Sequence, residues 1–114
     1  MKVKCIKLEN DSSNEKTDGW ITLGKEYHVL SMVYDHHIKY RVIASDSTPI
    51  MIDSSFFSIV DNKIPSNWVV NDVKEDYLVL GPESWSANSF WERFFDGDEL
   101  VIDIYHEELK LILQ

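Results

Sequence analysis

The sequence predicts one α+β domain in which a small, strongly bent antiparallel β-sheet or partial barrel is followed by two C-terminal helices. Three observations predict this fold class. The chain has 114 residues, which is the length of one typical domain. Apolar and polar residues alternate in short segments through residues 2–80, as they do in strands. Apolar residues then recur at helical spacing over residues 98–113.

The first section, residues 1–61, is predicted to be β-rich. Residues 35–37 form a short connection between two alternating segments, which are therefore expected to pair as a hairpin. A polar loop is expected over residues 10–19 and a single helical turn over residues 54–57. The predicted strands cover residues 2–8, 26–34, 38–45, 50–52 and 58–60.

The segment that leads into the first long hairpin contains Leu23, Gly24, Lys25, Tyr27 and Val29. This segment is similar to the one that enters the first long hairpin of SH3-like small barrels. The order of strand, polar loop, hairpin, short strand, helical turn and short strand resembles the same fold. The resemblance implies that residues 1–61 form an SH3-like β-region, a fold that serves many unrelated functions.

Two further sections are predicted to complete the domain. Residues 62–82 contain two apolar segments, 68–70 and 77–80, and are expected to form a β-hairpin. Residues 83–114 are expected to form a helical C-terminal part.

Two helices are predicted in this C-terminal part. A short aromatic helix over residues 86–95 is expected to end at Gly97, because glycine commonly stops a helix. Asp96, with Glu99 three residues later, resembles a capping box that begins a second helix over residues 98–113.

The apolar residues of this second helix cover an arc of about 220°, which predicts packing on two sides. Glu108 falls near the middle of the arc, where an unpaired carboxylate is costly. One interpretation is that the last turn is partly exposed or that Glu108 bonds a side chain such as Arg41. The other is that Glu108 lies at the edge of a partner surface. The residues expected to be buried are Val101, Ile104, Tyr105 and Ile112.

The charge of the chain is unevenly distributed. Residues 1–45 carry a net charge of +1 and residues 46–114 a net charge of −10, which together give the total of −9. Residues 72–108 contain eleven acids, against Lys74 and Arg93 as the only Lys or Arg. A field of this sign repels nucleic acid and anionic membranes and attracts a basic protein.

The residue patterns do not predict an enzyme, a cofactor or a metal site. The single Cys5 alternates with Val3 in a strand pattern, which favours a buried structural thiol. Adjacent His36 and His37 point in opposite directions on an extended chain, so with Asp35 they indicate a solvated hairpin tip. The serines lie in turn and cap contexts, and four glycines cannot build a phosphate-binding loop. One thiol and the absence of a signal-peptide pattern indicate the cytoplasm.

In size, charge and lack of motifs, the chain resembles immunity proteins of bacterial polymorphic-toxin and contact-dependent growth inhibition systems. The segments 23–27 and 90–95 carry this resemblance most clearly. It implies a monomer that binds one basic toxin domain 1:1 and inhibits it, with a nuclease as the expected toxin. The acids would take the positions of substrate phosphates, and exposed aromatics such as Trp85 or Trp91 would anchor the contact. The expected partner-binding residues are Asp72, Glu75, Asp76, Glu83, Trp85, Glu92, Asp96, Asp98, Asp103 and Glu107.

Two other classes of function remain open. One is a regulatory or phage-derived adaptor whose SH3-like region binds a peptide or another protein. The other is a small enzyme that uses carboxylates in an unrecognised arrangement. The neighbouring genes distinguish the adaptor from the inhibitor, because an immunity gene lies beside a toxin gene.

Overall fold

The chain folds as antiparallel sheets followed by two helices, so the predicted α+β class is confirmed. The computed structural model describes residues 1–10, 15–17 and 19–114, without the side chains of Asn10, Glu15, Lys16 and Asp72. The strands are β1 Lys2–Cys5, β2 Glu9–Asn10, β3 Glu15–Lys16, β4 Glu26–His28, β5 Ser31–Asp35, β6 His37–Ile43, β7 Pro49–Asp53, β8 Phe57–Asp61, β9 Val69–Lys74 and β10 Tyr77–Gly81. The helices are α1 Phe90–Phe95 and α2 Glu99–Ile112, and single 3-10 turns cover Ser54–Phe56 and Glu83–Ser86.

The strands form separate sheets that do not close into a barrel. A three-stranded sheet has the order β4-β1-β8, and a five-stranded sheet has the order β7-β6-β5-β10-β9. The neighbouring strands in both are antiparallel. Within the predicted polar loop, β2 pairs with β3, while residues 11–14 and 18 lie outside the described residues.

The strand predicted over residues 26–34 is two strands in different sheets. The chain crosses between the sheets at Val29 and Leu30, which are both fully buried. The amide of Val29 donates to the carbonyl of Met1 at 3.0 Å, and that of Leu30 donates to the carbonyl of Arg41 at 2.8 Å. Val29 packs into one cluster of buried side chains and Leu30 into another. The apolar alternation therefore continues through the break, which cannot be recognised from the sequence.

The buried side chains form two clusters. The first core lies among the strands and contains Val3, Cys5, Ile21, Tyr27, Val29, Tyr40, Val42, Ile52, Phe56, Phe57 and Trp68. The second core lies under the helices and contains Leu30, Trp85, Phe90, Val101, Tyr105 and Ile112. Cys5 is thus a buried thiol, as predicted.

The first helical region differs from the prediction in its boundaries. The segment predicted as one helix over residues 86–95 contains the end of a 3-10 turn and then the six-residue α1. Ser89 separates them in the left-handed conformation, with φ of 61°, which interrupts the right-handed helix. Gly97 ends α1 as expected and has φ of 85°.

Asp98 caps α2, and the prediction of Asp96 as the cap is wrong. The Oδ1 atom of Asp98 accepts hydrogen bonds from the amides of Leu100 at 3.1 Å and Val101 at 3.4 Å. Asp96 instead lies at the C-terminal end of α1, where its amide donates to the carbonyl of Glu92 at 3.0 Å. The two-residue difference arises because Asp96 and Gly97 form the turn between the helices, which leaves Asp98 as the residue directly before α2.

The buried face of α2 is narrower than the apolar arc of its sequence predicts. Its described residues Val101, Tyr105 and Ile112 are buried as expected, and Ile104 is only partly buried. Both edges of the apolar arc, at Leu100, Leu111 and Leu113, are exposed. The helix is therefore packed on one side, and the expectation of two-sided packing is wrong.

Glu108 is partly exposed, and its observed partner is Asn67. The Nδ2 atom of Asn67 donates to the backbone oxygen of Glu108 at 3.1 Å and to its Oε2 atom at 3.5 Å. The expected bond to Arg41 is absent from the described contacts, because Arg41 packs against Trp91 instead. The side-chain amide of Asn67 therefore binds both the backbone and the carboxylate of Glu108 near the end of α2.

Candidate functional site

The candidate site is the outer surface of α1, α2 and the turn between them. We call residues 92–107 the acidic helical segment. It contains six acids, and Arg93 is its only Lys or Arg. The exposed members are Glu92, Asp96, Glu99, Asp103 and Glu107.

Two large apolar side chains are exposed within the same segment. Phe95 at the end of α1 is 55% exposed, and Leu100 in the first turn of α2 is 64% exposed. They flank the turn that joins the two helices. Neither residue is among the predicted partner-binding residues, because both belong to the apolar patterns of the two predicted helices. Both residues lie at the edges of those patterns, and this position was the sequence feature that indicated their exposure.

Asp98 is engaged within the protein. Its Oδ2 atom accepts from Nε of Arg93 at 2.9 Å and lies 2.8 Å from Nη2. The hydrogen bond from Arg93 holds the pKa of the Asp98 carboxyl below its usual value, and the amides of α2 contribute. The same carboxylate caps α2, so its first role is to join the two helices.

The other predicted acids are spread over a wider surface. Glu75 and Asp76 are exposed at the β9–β10 turn, where Asp76 has φ of 59°. Glu83 is exposed in the second 3-10 turn. Glu107 is exposed, and its Oε1 atom lies 3.1 Å from Nζ of Lys110. The side chain of Asp72 lies outside the described residues.

Trp85 is not the exposed anchor that the sequence analysis expected. It is 5% exposed and belongs to the second core, where its ring stacks on Tyr105 with centroids 5.3 Å apart. Trp91 meets the Trp85 ring edge-on at 5.4 Å. Aromatic packing of this kind buries large apolar area, which is the reason these rings face inward.

Arg41 completes the second core from the side of the sheet. Its guanidinium carbon lies 3.7 Å from the centroid of the Trp91 ring, and Nη1 donates to the carbonyl of Pro49 at 2.9 Å. Burial lowers the pKa of Arg41 to about 10, and the nearby Tyr105 hydroxyl raises it in part. Burial also raises the pKa of Tyr105 to about 12.

The residues considered for metal binding or nucleophilic chemistry lie apart from this site. Asp35, His36 and His37 are exposed at the β5–β6 hairpin, with His36 at φ of 61°. In the described parts of the chain, no group of three or more His, Cys, Asp or Glu is arranged to hold a metal. Burial raises the pKa of the Cys5 thiol, which disfavours the nucleophilic thiolate.

Across residues 1–10, 15–17 and 19–114, none of the helices has the length and apolar character needed to cross a membrane. No protein-family model, curated protein or solved structure matches the chain.

Proposed function

We propose that the chain is an immunity protein, a stoichiometric inhibitor that binds a basic toxin domain through the acidic helical segment. The expected toxin is a nuclease, the expected complex is 1:1, and the expected compartment is the cytoplasm. The observation that carries the proposal is the exposure of Phe95 and Leu100 among carboxylates. Large apolar side chains supply the binding energy of many interfaces, and charges around them select the partner.

The charge distribution supports a cationic partner. Arg93 is committed to Asp98, so the charge left over in residues 92–107 is negative. A basic nuclease active site would be attracted to this surface, and the carboxylates would take the positions of nucleic-acid phosphates. Electrostatic attraction of this kind raises association rates toward about 10⁸ M⁻¹s⁻¹ at low salt.

Titration against the toxin tests the proposal directly. The purified chain is mixed with the toxin domain encoded by the adjacent gene, and the remaining toxin activity is measured. Activity should fall linearly to an equimolar end point and return when the toxin is refolded alone. Inhibition at far less than equimolar chain, or a covalently altered toxin, would show that the chain is an enzyme.

A matched pair of variants tests the surface. Glu92→Lys with Asp103→Lys should lower the association rate at low salt by about tenfold or more. The control, Glu26→Lys with Asp35→Lys, makes the same change in net charge at exposed positions of β4 and β5. Stopped-flow measurement of both should show the larger effect for the first pair. Equal effects would show that net charge alone matters and that this surface is not the interface.

Leu100→Ala tests the apolar part of the same interface. Leu100 is largely exposed, so its truncation should leave folding intact and raise the dissociation rate. An unchanged dissociation rate of the complex would show that Leu100 is not part of the interface.

An adaptor that binds an extended peptide is the second candidate function. Strand β9 is one of the two outer strands of the five-stranded sheet among the described residues, and Val69, Val70 and Val73 on it are exposed. An exposed apolar edge strand can pair with a strand of a partner. For this function, Val70→Lys with Val73→Lys should abolish binding, whereas Glu92→Lys with Asp103→Lys should not.

A further inference from the structure

A cleft beside the second core contains a cation and no acid. Its volume is about 250 Å³, and its walls come from β5, β6, β10, the second 3-10 turn and α1. Arg41 lines it together with Trp85, Ser86 and Trp91. Although the chain has twenty Asp and Glu residues, none of the described residues that line this cleft is acidic.

Two small residues make room beside the guanidinium. Ser31 on β5 is directly opposite Arg41 on β6, and it lines the cleft. Gly81 on β10 lies on the other side of Ser31, and a Cβ atom at Gly81 would be only 2.8 Å from Cβ of Ser31. Both residues line the cleft next to Arg41, and a side chain at position 81 would collide with Ser31.

The charge of Arg41 is only partly compensated by the described contacts. One face of the guanidinium lies on the Trp91 ring, and Nη1 bonds a backbone carbonyl. Its Nε atom is buried and has no hydrogen-bond acceptor among the described residues. A buried cation without an anion is costly, and a bound anion would offset that cost.

We infer that this cleft binds a small molecule in which a carboxylate is attached to a flat apolar group, as in an aryl carboxylate. The planar guanidinium matches a carboxylate better than a spherical or tetrahedral anion. The hydroxyls of Ser31 and Ser86 are further donors in the lining. The rings of Trp85 and Trp91 give the apolar part a flat surface to pack against.

Benzoate is the probe for this site, and tryptophan fluorescence is the readout because two tryptophans line the cleft. The intact protein should show a saturable fluorescence change with benzoate. Benzamide, which has the same shape without the charge, should produce none. Inorganic phosphate should bind more weakly than benzoate. No saturable response to benzoate, or an equal response to benzamide or phosphate, would overturn the inference.

Two variants test whether the fluorescence change with benzoate depends on Arg41. Arg41→Met should weaken benzoate binding by about 10- to 100-fold, since it removes a charged hydrogen-bond donor. Lys39→Met removes a positive charge at an exposed position on the same strand, β6, outside the lining of the cleft, and should bind benzoate like the unmodified protein. Equal affinities of the two variants would overturn the assignment.

A second variant keeps the site testable if Arg41→Met fails to fold by circular dichroism. Ser86 is exposed at the edge of the cleft, so Ser86→Phe should preserve the fold and block entry of benzoate. Loss of the benzoate response in Ser86→Phe supports the site. A full response in that variant contradicts it.

Discussion

The two cores of this protein contain similar side chains but differ in what packs against them. The described members of the first core are mainly aliphatic and aromatic side chains contributed by strands, and none of them is charged. The second core also combines aliphatic and aromatic side chains, but the Arg41 guanidinium packs against the Trp91 ring beside it from the sheet. The acidic helical segment covers the second core only. The comparison indicates that the first core serves stability, whereas the second core also supports both proposed binding sites.

Large-to-small substitutions in the two cores give the strongest test of this comparison. Phe56 in the first core and Phe90 in the second are both almost fully buried. Phe56→Ala and Phe90→Ala should each lower the free energy of unfolding by about 3–5 kcal/mol. Urea denaturation followed by circular dichroism and by fluorescence should give one coincident transition for each variant. Separate transitions would show that the two cores unfold independently.

Overpacking at Gly81 tests the close contact at the floor of the cleft. Gly81→Ala should cost about 1–3 kcal/mol, because the new Cβ atom would meet Cβ of Ser31 at 2.8 Å. Adding Ser31→Gly to the same chain should restore part of the loss, and thermal unfolding of the single and double variants measures this. Full additivity of the two substitutions would show that the contact does not determine the cost.

A pH series tests the burial of Tyr105. Its pKa is about 12 in the folded protein and about 10 when unfolded, so the unfolded chain ionises first as pH rises. This tyrosine should therefore remove about 1 kcal/mol of stability between about pH 8 and pH 11. Arg41 acts in the opposite direction, because its pKa is lowered to about 10.

Comparison of the unmodified protein with Tyr105→Phe measures the tyrosine together with its interaction with Arg41, which is present in both. The destabilisation caused by Tyr105→Phe should become smaller as pH rises through this range. A difference that stays constant with pH would contradict a buried hydroxyl at position 105.

The sequence predicted the class and most elements because the local patterns are strong. The helix α2 and the hairpin around residues 35–37 follow from periodicity and turn chemistry alone. The break at Val29 and Leu30 could not be seen, since both residues are buried and the alternation continues. The cap of α2 was misplaced because Asp96 and Asp98 both satisfy the local preference for a capping acid.

The candidate surface was only partly predictable. The acidic charge is visible in the composition, but the inward position of Trp85 depends on its stacking with Tyr105, twenty residues later. The contact of Arg41 with Trp91 joins residues fifty positions apart, and no local pattern encodes it. Contacts between side chains on different sheets and helices depend on how these elements are arranged in space. This arrangement cannot be read from a single sequence.

The position of β1 has a consequence for the order of folding during synthesis. This strand precedes β4 and β8 in the chain, yet it lies at the centre of its sheet, between them. Its pairing with β8 joins residues 2–5 to residues 57–61, so the sheet stays incomplete until residues 57–61 have been made. Closing so long a loop costs entropy before any contact offsets it, and such pairings slow folding. The hairpin of β5 and β6 needs only neighbouring residues, and we therefore expect it to form before β1 pairs with β8.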